Sequence, residues 1–105
     1  MSISNDAVTT DELTIVREDA PGHGRYVIRL PDGLEAEMTF RKLGASIIAI
    51  DHTYTPPQYR GRNIAARLME RSIADARRDG VKIRPECSYA VVQFQRHRDW
   101  DDLLA

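Results

Sequence analysis

A polar loop in the middle of the chain contains the residue types that bind phosphate. Residues 53–65 read TYTPPQYRGRNIA and connect an apolar segment to an amphipathic one. Backbone N–H groups at a helix start lack intrahelical partners and lie at the positive end of the helix dipole, so such a loop can hold a pyrophosphate. Gly61 permits close approach of a ligand, and Arg60 and Arg62 add positive charge. Short glycine motifs have low specificity, however, and many strand-to-helix loops of this composition bind nothing.

Two side chains with acid–base or nucleophilic chemistry lie beside the ends of predicted strands. His52 is near the end of one apolar run, and Cys87 follows another. A helix start favours a thiolate and a nearby imidazole can take the thiol proton, so Cys87 is a candidate nucleophile. His52 is alternatively a general base in its own right. The structural alternatives are that Cys87 is a packing residue and that His52 hydrogen-bonds within the sheet.

The elements that must position these residues begin with an antiparallel meander over residues 12–42. Apolar and polar residues alternate over residues 34–41, and the same period of two is present at 13–15 and 26–30. Turn sequences separate these segments, with PGHG at 21–24 and PDG at 31–33. This pattern predicts strands with one face exposed to water.

A strand, a helix and a second strand follow the meander. Residues 46–55 lose the alternation, which is typical of a strand covered on both faces. Helical periodicity predicts the principal helix over 61–79, and a short strand follows over 81–86. The right-handed crossover favours a parallel pair, so the predicted fold class is α/β with a mixed sheet.

The last part of the chain predicts short helices. Ser88 is expected to cap a helix that carries Tyr89, Val92 and Phe94 toward the core, and Asp99 is expected to start a final turn.

Length and composition limit the function classes. One hundred and five residues suffice for one domain, expected over residues 12–105 after a flexible tail at 1–11. The net charge of −1 indicates no nucleic-acid or membrane partner, and the single cysteine excludes an internal disulfide and a multi-cysteine metal site. The first residues do not resemble a secretory signal, and no apolar run approaches the roughly 18 residues of a membrane span. These features predict a soluble cytoplasmic protein.

Residues 58–65, QYRGRNIA, resemble the acetyl-coenzyme A pyrophosphate loop of the GNAT N-acetyltransferase superfamily, whose pattern is Q/R-x-x-G-x-G/A. The segments HTYTP at 52–56, PECSY at 85–89 and FQRH at 94–97 are similar to its minimal single-domain, YjdJ-like branch. The resemblance covers residues 12–104. Asn63 departs from the pattern, because it stands where the superfamily has a second small residue. Asn tolerates left-handed backbone, but its side chain can crowd a phosphate.

The resemblance implies a meander followed by two central parallel strands that splay apart, with the pantetheine arm of acetyl-coenzyme A along the edge of the first. The implied cofactor-binding residues are Thr53, Tyr54, Thr55, Gln58, Tyr59, Arg60, Gly61, Arg62, Asn63, Ile64 and Ala65. The rule that ligands of open α/β sheets lie outside the carboxyl ends of the strands points to the same edge. Residues 58–98 carry ten basic against four acidic residues, a balance of +6 that suits the phosphates of coenzyme A.

The resemblance also implies catalytic roles. The similar branch has a histidine and a cysteine at the positions of His52 and Cys87, so both are expected to face the gap between the splayed strands. Tyr89 is expected to donate a proton to the departing coenzyme A thiolate, as a tyrosine does in larger members, and the structural alternative is a core tyrosine whose hydroxyl is satisfied. Two mechanisms remain open. His52 removes the amine proton in a direct transfer while backbone N–H groups polarise the thioester carbonyl, or Cys87 accepts the acetyl group first.

The implied function is acetyl transfer from acetyl-coenzyme A to an amine. The connection between the first two strands, residues 19–24, is too short for the helices that build the acceptor site in larger members. An open surface suits a protein or peptide amine, or a partner chain completes the site. The alternatives are a coenzyme A-binding module without appreciable turnover and an interaction protein without a cofactor.

Overall fold

The computed structural model describes residues 13–105, which form one five-stranded mixed sheet with its helices on one face. The strand order is β1-β2-β3-β4-β5, with no strand inserted between sequence neighbours. The elements are β1 (Ile15–Ala20), β2 (His23–Arg29), β3 (Glu35–Lys42), β4 (Ile47–Tyr54), α1 (Ile64–Asp79), β5 (Lys82–Pro85) and α2 (Ser88–Arg96). Short 3-10 helices cover Pro57–Tyr59 and Arg98–Leu103. The α/β class and the mixed sheet are therefore confirmed.

Tight turns join the first three strands into an antiparallel meander. β1 pairs with β2 from Ile15 opposite Ile28 to Ala20 opposite His23. Gly22 and Gly33 occupy the two turns at φ 127° and 83°, a backbone region that residues with a side chain rarely adopt. The short turns place consecutive strands next to each other in the sheet. The alternation of apolar and polar residues then sets the register in which they pair.

The helix α1 connects β4 to β5 and makes their pairing parallel. Four residues of each strand pair, from Ile47 opposite Lys82 to Ile50 opposite Pro85. Gly80 ends α1 in the left-handed conformation at φ 69°, which glycine adopts without strain. The carboxyl end of β4 and the start of α1 therefore lie at the same end of the sheet.

One hydrophobic core joins both helices to one face of the sheet. Alternate side chains of β2, β3 and β4, such as Ile28, Met38 and Ile50, point to this face and pack with Leu68 of α1 and Phe94 of α2. Burying one such side chain contributes about 1.5–3 kcal/mol. Within residues 13–105 the opposite face carries no helix. We call it the open face.

An ion-pair lattice covers much of the open face. Arg25 lies at its centre and binds Glu18, Glu35 and Glu37 at 2.7–3.0 Å. Val27 is fully buried on this face, outside the main core. Charged side chains that neutralise one another therefore cover this part of the sheet.

A buried carboxylate ties α1 to the meander. Asp75 accepts hydrogen bonds from Tyr26 Oη at 2.8 Å and Arg17 Nη1 at 3.1 Å, and it contacts Arg71 and Arg78. Although burial acts to raise the pKa of Asp75, these hydrogen bonds and cations hold it below its ordinary value. Burial raises the pKa of Tyr26, and its bond to Asp75 adds to the effect.

Several details differ from the sequence expectations. The helix α1 begins at Ile64 rather than at 61, because Gly61 and Asn63 adopt positive φ and keep residues 61–63 out of the helix. Cys87, not Ser88, is the N-cap of α2. Val92 is exposed, and Ala90 takes the expected place in the core. The expected flexible tail, residues 1–11, lies outside the described residues. None of the described helices is long and apolar enough to cross a membrane.

Candidate active site

A gap opens between β4 and β5 where their pairing ends. The last bonds across the pair are those that Glu86 N–H and Cys87 N–H donate to the Ile50 carbonyl, at 2.8 and 3.1 Å. Beyond this point β4 continues to Tyr54, while the chain after β5 turns into α2. One edge of residues 51–54 therefore has no strand partner in the described structure. An extended ligand can pair with such an edge.

A β-bulge at the same level changes the side-chain directions. Thr39 lies opposite His52 and Phe40 lies opposite Ile50, so Asp51 is an extra residue in β4. Thr39 Oγ1 donates to Asp51 Oδ1 at 2.6 Å. His52 shares the open face with Thr39, whereas Thr53, opposite Met38, returns to the helix side.

The loop before α1 presents a continuous run of free backbone donors. Among the described residues, no hydrogen-bond acceptor is found for the N–H groups of residues 61–66, and the series of bonds begins with Arg67 N–H to the Asn63 carbonyl. Arg60 Nε holds the loop in shape by donating to the Thr55 carbonyl at 3.0 Å. Gly61 has φ 80°, and a Cβ added there would meet nothing within 4 Å. Free N–H groups at a helix start are donors that an anion can use.

Asn63 takes the left-handed conformation at φ 64° and ψ 20°, the one positive φ of a non-glycine residue in the described chain. Asn adopts this region more readily than most residues. The departure from the glycine-or-alanine pattern is therefore accommodated by the backbone.

A cavity of about 380 Å³ lies against this loop. Its lining residues are Thr55, Tyr59, Arg60, Gly61, Asn63, Ile64, Ala65, Ala66 and Tyr89. Thr55 Oγ1 is buried here and has no hydrogen-bond partner among the described residues. A buried hydroxyl without a partner is costly, and a ligand in the cavity is one way to satisfy it.

Tyr59 and Arg62 form one side of the loop. The Arg62 guanidinium lies 5.3 Å from the centroid of the Tyr59 ring, in cation–π contact. Partial burial raises the pKa of the Tyr59 hydroxyl, and the negative charge of Asp32 adds to the effect. The turn between β2 and β3 therefore places Asp32 near this loop. Gln58 is exposed on the preceding 3-10 helix.

Cys87 and Tyr89 lie on the helix side of the gap. Cys87 is half-buried at the N-cap of α2, with its Sγ 3.4 Å from Thr53 Oγ1. Tyr89 is half-buried in the first turn of α2. Burial raises the pKa of its hydroxyl, and the nearby Glu70 carboxylate adds to the effect. The phenol therefore keeps its proton at neutral pH.

His52 lies on the other side of the sheet. Its side chain is 56% exposed on the open face, and its Nε2 is 3.7 Å from Glu37 Oε2. No hydrogen bond joins His52 to Cys87 in the described part of the chain; the thiol contacts Thr53, and the imidazole faces a carboxylate. The structure thus places Cys87 on the helix side and His52 on the open face, and it does not bring them into contact.

Comparisons with known proteins identify this architecture. A sequence model of the family described as GCN5-related N-acetyl-transferase matches residues 25–103. The chain belongs to the GCN5-related N-acetyltransferase family. The solution structure of a GCN5-like protein from Staphylococcus aureus has the same fold, with a TM-score of 0.63 and 22% identity over 86% of this chain and 87% of that chain. No curated protein sequence matches this one with significant similarity.

Sequence reasoning missed three residues at the site of this GCN5-related chain. Asp32, Glu37 and Asp51 are ordinary polar residues of a turn and of strands in the sequence. Asp32 reaches Tyr59, Glu37 faces His52, and Asp51 is the bulge residue. The alternation in β3 places Glu37 on the polar face, but no local signal identifies its partner across the sheet.

Proposed function

We propose that this protein transfers the acetyl group of acetyl-coenzyme A to a primary amine. The observation that carries the proposal is the run of free N–H groups at residues 61–66, which lies beside the unpaired edge of β4. Membership of the GCN5-related family supports the reaction class. The order of the two features along the chain suits a long ligand with a diphosphate at one end and amide groups along its arm.

The residues around the loop fit coenzyme A. The amides of residues 61–66 would hold the pyrophosphate, with Arg60 and Arg62 adjacent and positively charged. The open space at Gly61 leaves room for a phosphate close to the backbone, and Thr55, whose buried hydroxyl has no partner among the described residues, is one of the residues that line the same cavity. The backbone of Thr53 and Tyr54 would pair with the pantetheine amides. Acetyl-coenzyme A, when bound, supplies an acetyl thioester that an uncharged amine can attack.

The side chains at the gap would then move the protons. His52 would accept the proton of the amine, because its ring is exposed on the face from which an acceptor can approach. Tyr89 Oη would hold the proton that a leaving thiolate needs, since a tyrosine hydroxyl is protonated at neutral pH. Free N–H groups on the edge of β4 would polarise the thioester carbonyl.

We favour direct transfer over a Cys87 acetyl-enzyme. The Cys87 thiol contacts the Thr53 hydroxyl, and no imidazole is in contact with it to take its proton. In direct transfer His52 acts on the amine without Cys87. Cys87 then serves to pack the N-terminus of α2 against β4.

The acceptor would approach from the open face. A depression of about 440 Å³ lies there across β1 to β4 and reaches Asp51, the neighbour of His52 in the chain. It is shallow and bordered by charged side chains of both signs, including Arg25 and Arg41. A shallow surface that is open to solvent suits an amine on a peptide or protein better than a small molecule that needs enclosure.

The test combines ligand binding with turnover. Coenzyme A at a hundred times its Kd is expected to add about 2.7 kcal/mol to the free energy of unfolding and so to raise the melting temperature. Acetyl-coenzyme A together with a lysine-containing peptide should release free thiol. Gly61→Ala places a methyl group over the free amides, and Gly44→Ala is the matched control. Gly44 has the similar φ of 83° and the same open surroundings, in the turn before β4.

Both variants are expected to lose about 1 kcal/mol of stability through backbone strain. Only Gly61→Ala should also lose the response to coenzyme A. If the wild type shows no thermal shift at millimolar coenzyme A, the proposal is wrong. A shift without turnover on any amine would instead favour a binding module.

A further inference from the structure

Within residues 13–105, Glu37 is the carboxylate that forms an ion-pair contact with the exposed imidazole of His52. Its Oε2 lies 3.7 Å from His52 Nε2, a separation that a small rotation of the ring can close. The two residues are diagonal neighbours on β3 and β4, because Thr39 pairs with His52 and Glu37 pairs with Tyr54. The bulge at Asp51 makes this meeting possible, because in a regular strand Asp51 would pair with Thr39 and the imidazole would point to the other face of the sheet.

The ion-pair lattice fixes the orientation of Glu37. Arg25 Nη1 donates to Glu37 Oε1 at 2.9 Å, so one carboxylate oxygen is engaged and the other is directed to His52. Arg25 is itself held by Glu18 at 2.7 Å and Glu35 at 3.0 Å. A chain of charged contacts therefore runs from β1 across the open face to His52.

The other polar neighbours of His52 are already engaged. Asp51, next to it in β4, accepts a hydrogen bond from Thr39 Oγ1 at 2.6 Å and lies 3.5 Å from Arg41 Nη1. Arg41 is in turn bonded to Glu86 beside β5 at 2.7 Å. Glu37 Oε2 is thus the carboxylate oxygen available to the imidazole.

We propose that Glu37 is a positioning residue that holds His52 Nε2–H and leaves Nδ1 free to take the proton of the acceptor amine. The role rests on the proposed function, because it needs His52 to act as the base. No atom is exchanged between Glu37 and the substrate. Glu37 fixes the tautomer and direction of the ring, and its charge compensates the imidazolium that forms during transfer.

The experiment compares Glu37→Met with Glu35→Met. Both substitutions remove one carboxylate from Arg25 and keep an unbranched side chain, but Glu35 does not face His52. Glu37→Met is expected to lower kcat about tenfold with the KM for acetyl-coenzyme A unchanged, and Glu35→Met should stay within about twofold of wild type. Glu37→Gln, which keeps an acceptor oxygen, should recover part of the loss.

A second readout does not depend on turnover. Imidazole ¹⁵N shifts should show the Nε2–H tautomer of neutral His52 in the wild type and in Glu35→Met, and a mixture of tautomers in Glu37→Met. Equal kcat values for the two methionine variants, or an unchanged tautomer in Glu37→Met, would overturn the positioning role and leave the proposed function standing. Absence of turnover in the wild type would overturn the proposed function, and with it this role, while the ¹⁵N shifts still report the contact.

Discussion

Thr55→Val is expected to stabilise the free protein and to weaken its binding of coenzyme A. The Thr55 hydroxyl is buried without a partner, and valine keeps the branched shape while removing the oxygen. An unsatisfied buried polar group costs about 1–3 kcal/mol, and taking the lower value gives a gain of about 1 kcal/mol. For a domain of this size the gain corresponds to a rise in melting temperature of about 4 °C.

The same change removes a hydrogen bond that the proposed ligand would satisfy. A bond worth about 1 kcal/mol corresponds to an affinity for coenzyme A about fivefold lower. Thermal melts and calorimetric titration of the two proteins measure both effects. Thr53→Val is the matched control, because the Thr53 hydroxyl already contacts Cys87 Sγ and its removal should give no gain in stability. A Thr55→Val protein that melts below wild type, or binds coenzyme A equally well, would refute the reasoning.

Three further predictions concern the fold and the thiol. Asp75→Asn should lower the free energy of unfolding in urea by about 2–3 kcal/mol. Because the folded chain lowers the pKa of Asp75, the stability that its carboxylate contributes is complete at neutral pH and disappears as the pH falls below about 4. The variant should lack this pH dependence. Gly24→Ala should cost at least about 1 kcal/mol, since its Cβ would lie 2.5 Å from a ring carbon of Phe40, and a melting temperature equal to wild type would contradict the packing. Cys87→Ala should keep most of the turnover, and intact-mass spectra after incubation with acetyl-coenzyme A should show no adduct that depends on Cys87; a thousandfold loss of turnover would instead indicate the two-step route.

The fold was largely predictable because local patterns and short connections agree. The period of two in residues 34–41 and the turn residues at 31–33 specify a hairpin, because so short a loop makes the next strand the pairing partner. The boundary of α1 was less predictable. Helical periodicity extends back to 61, but the positive φ of Gly61 and Asn63 is a property of the folded loop.

The phosphate loop and the catalytic residues differed in predictability for a physical reason. A loop at a helix start is contiguous in sequence, so its residues can be recognised together. The neighbours of His52 come from another strand, and their identity depends on a register that one inserted residue changes. Asp51 is that residue, and nothing in the run IIAIDHTY marks it as a bulge.

The bulge also explains why His52 and Cys87 need not act on the same proton. The pairing of β4 with β5 stops at Ile50, and the bulge follows at once, so His52 turns to the open face while Thr53 turns toward Cys87. Under the proposed function, the acetyl donor is held on the helix side and the amine arrives from the other. Loss of His52 should then reduce kcat without changing coenzyme A affinity, and changes around Cys87 and Tyr89 should alter the handling of the thiol. A ping-pong pattern in initial rates would contradict this division, because it requires the acetyl group to pass first to a nucleophile of the enzyme such as Cys87.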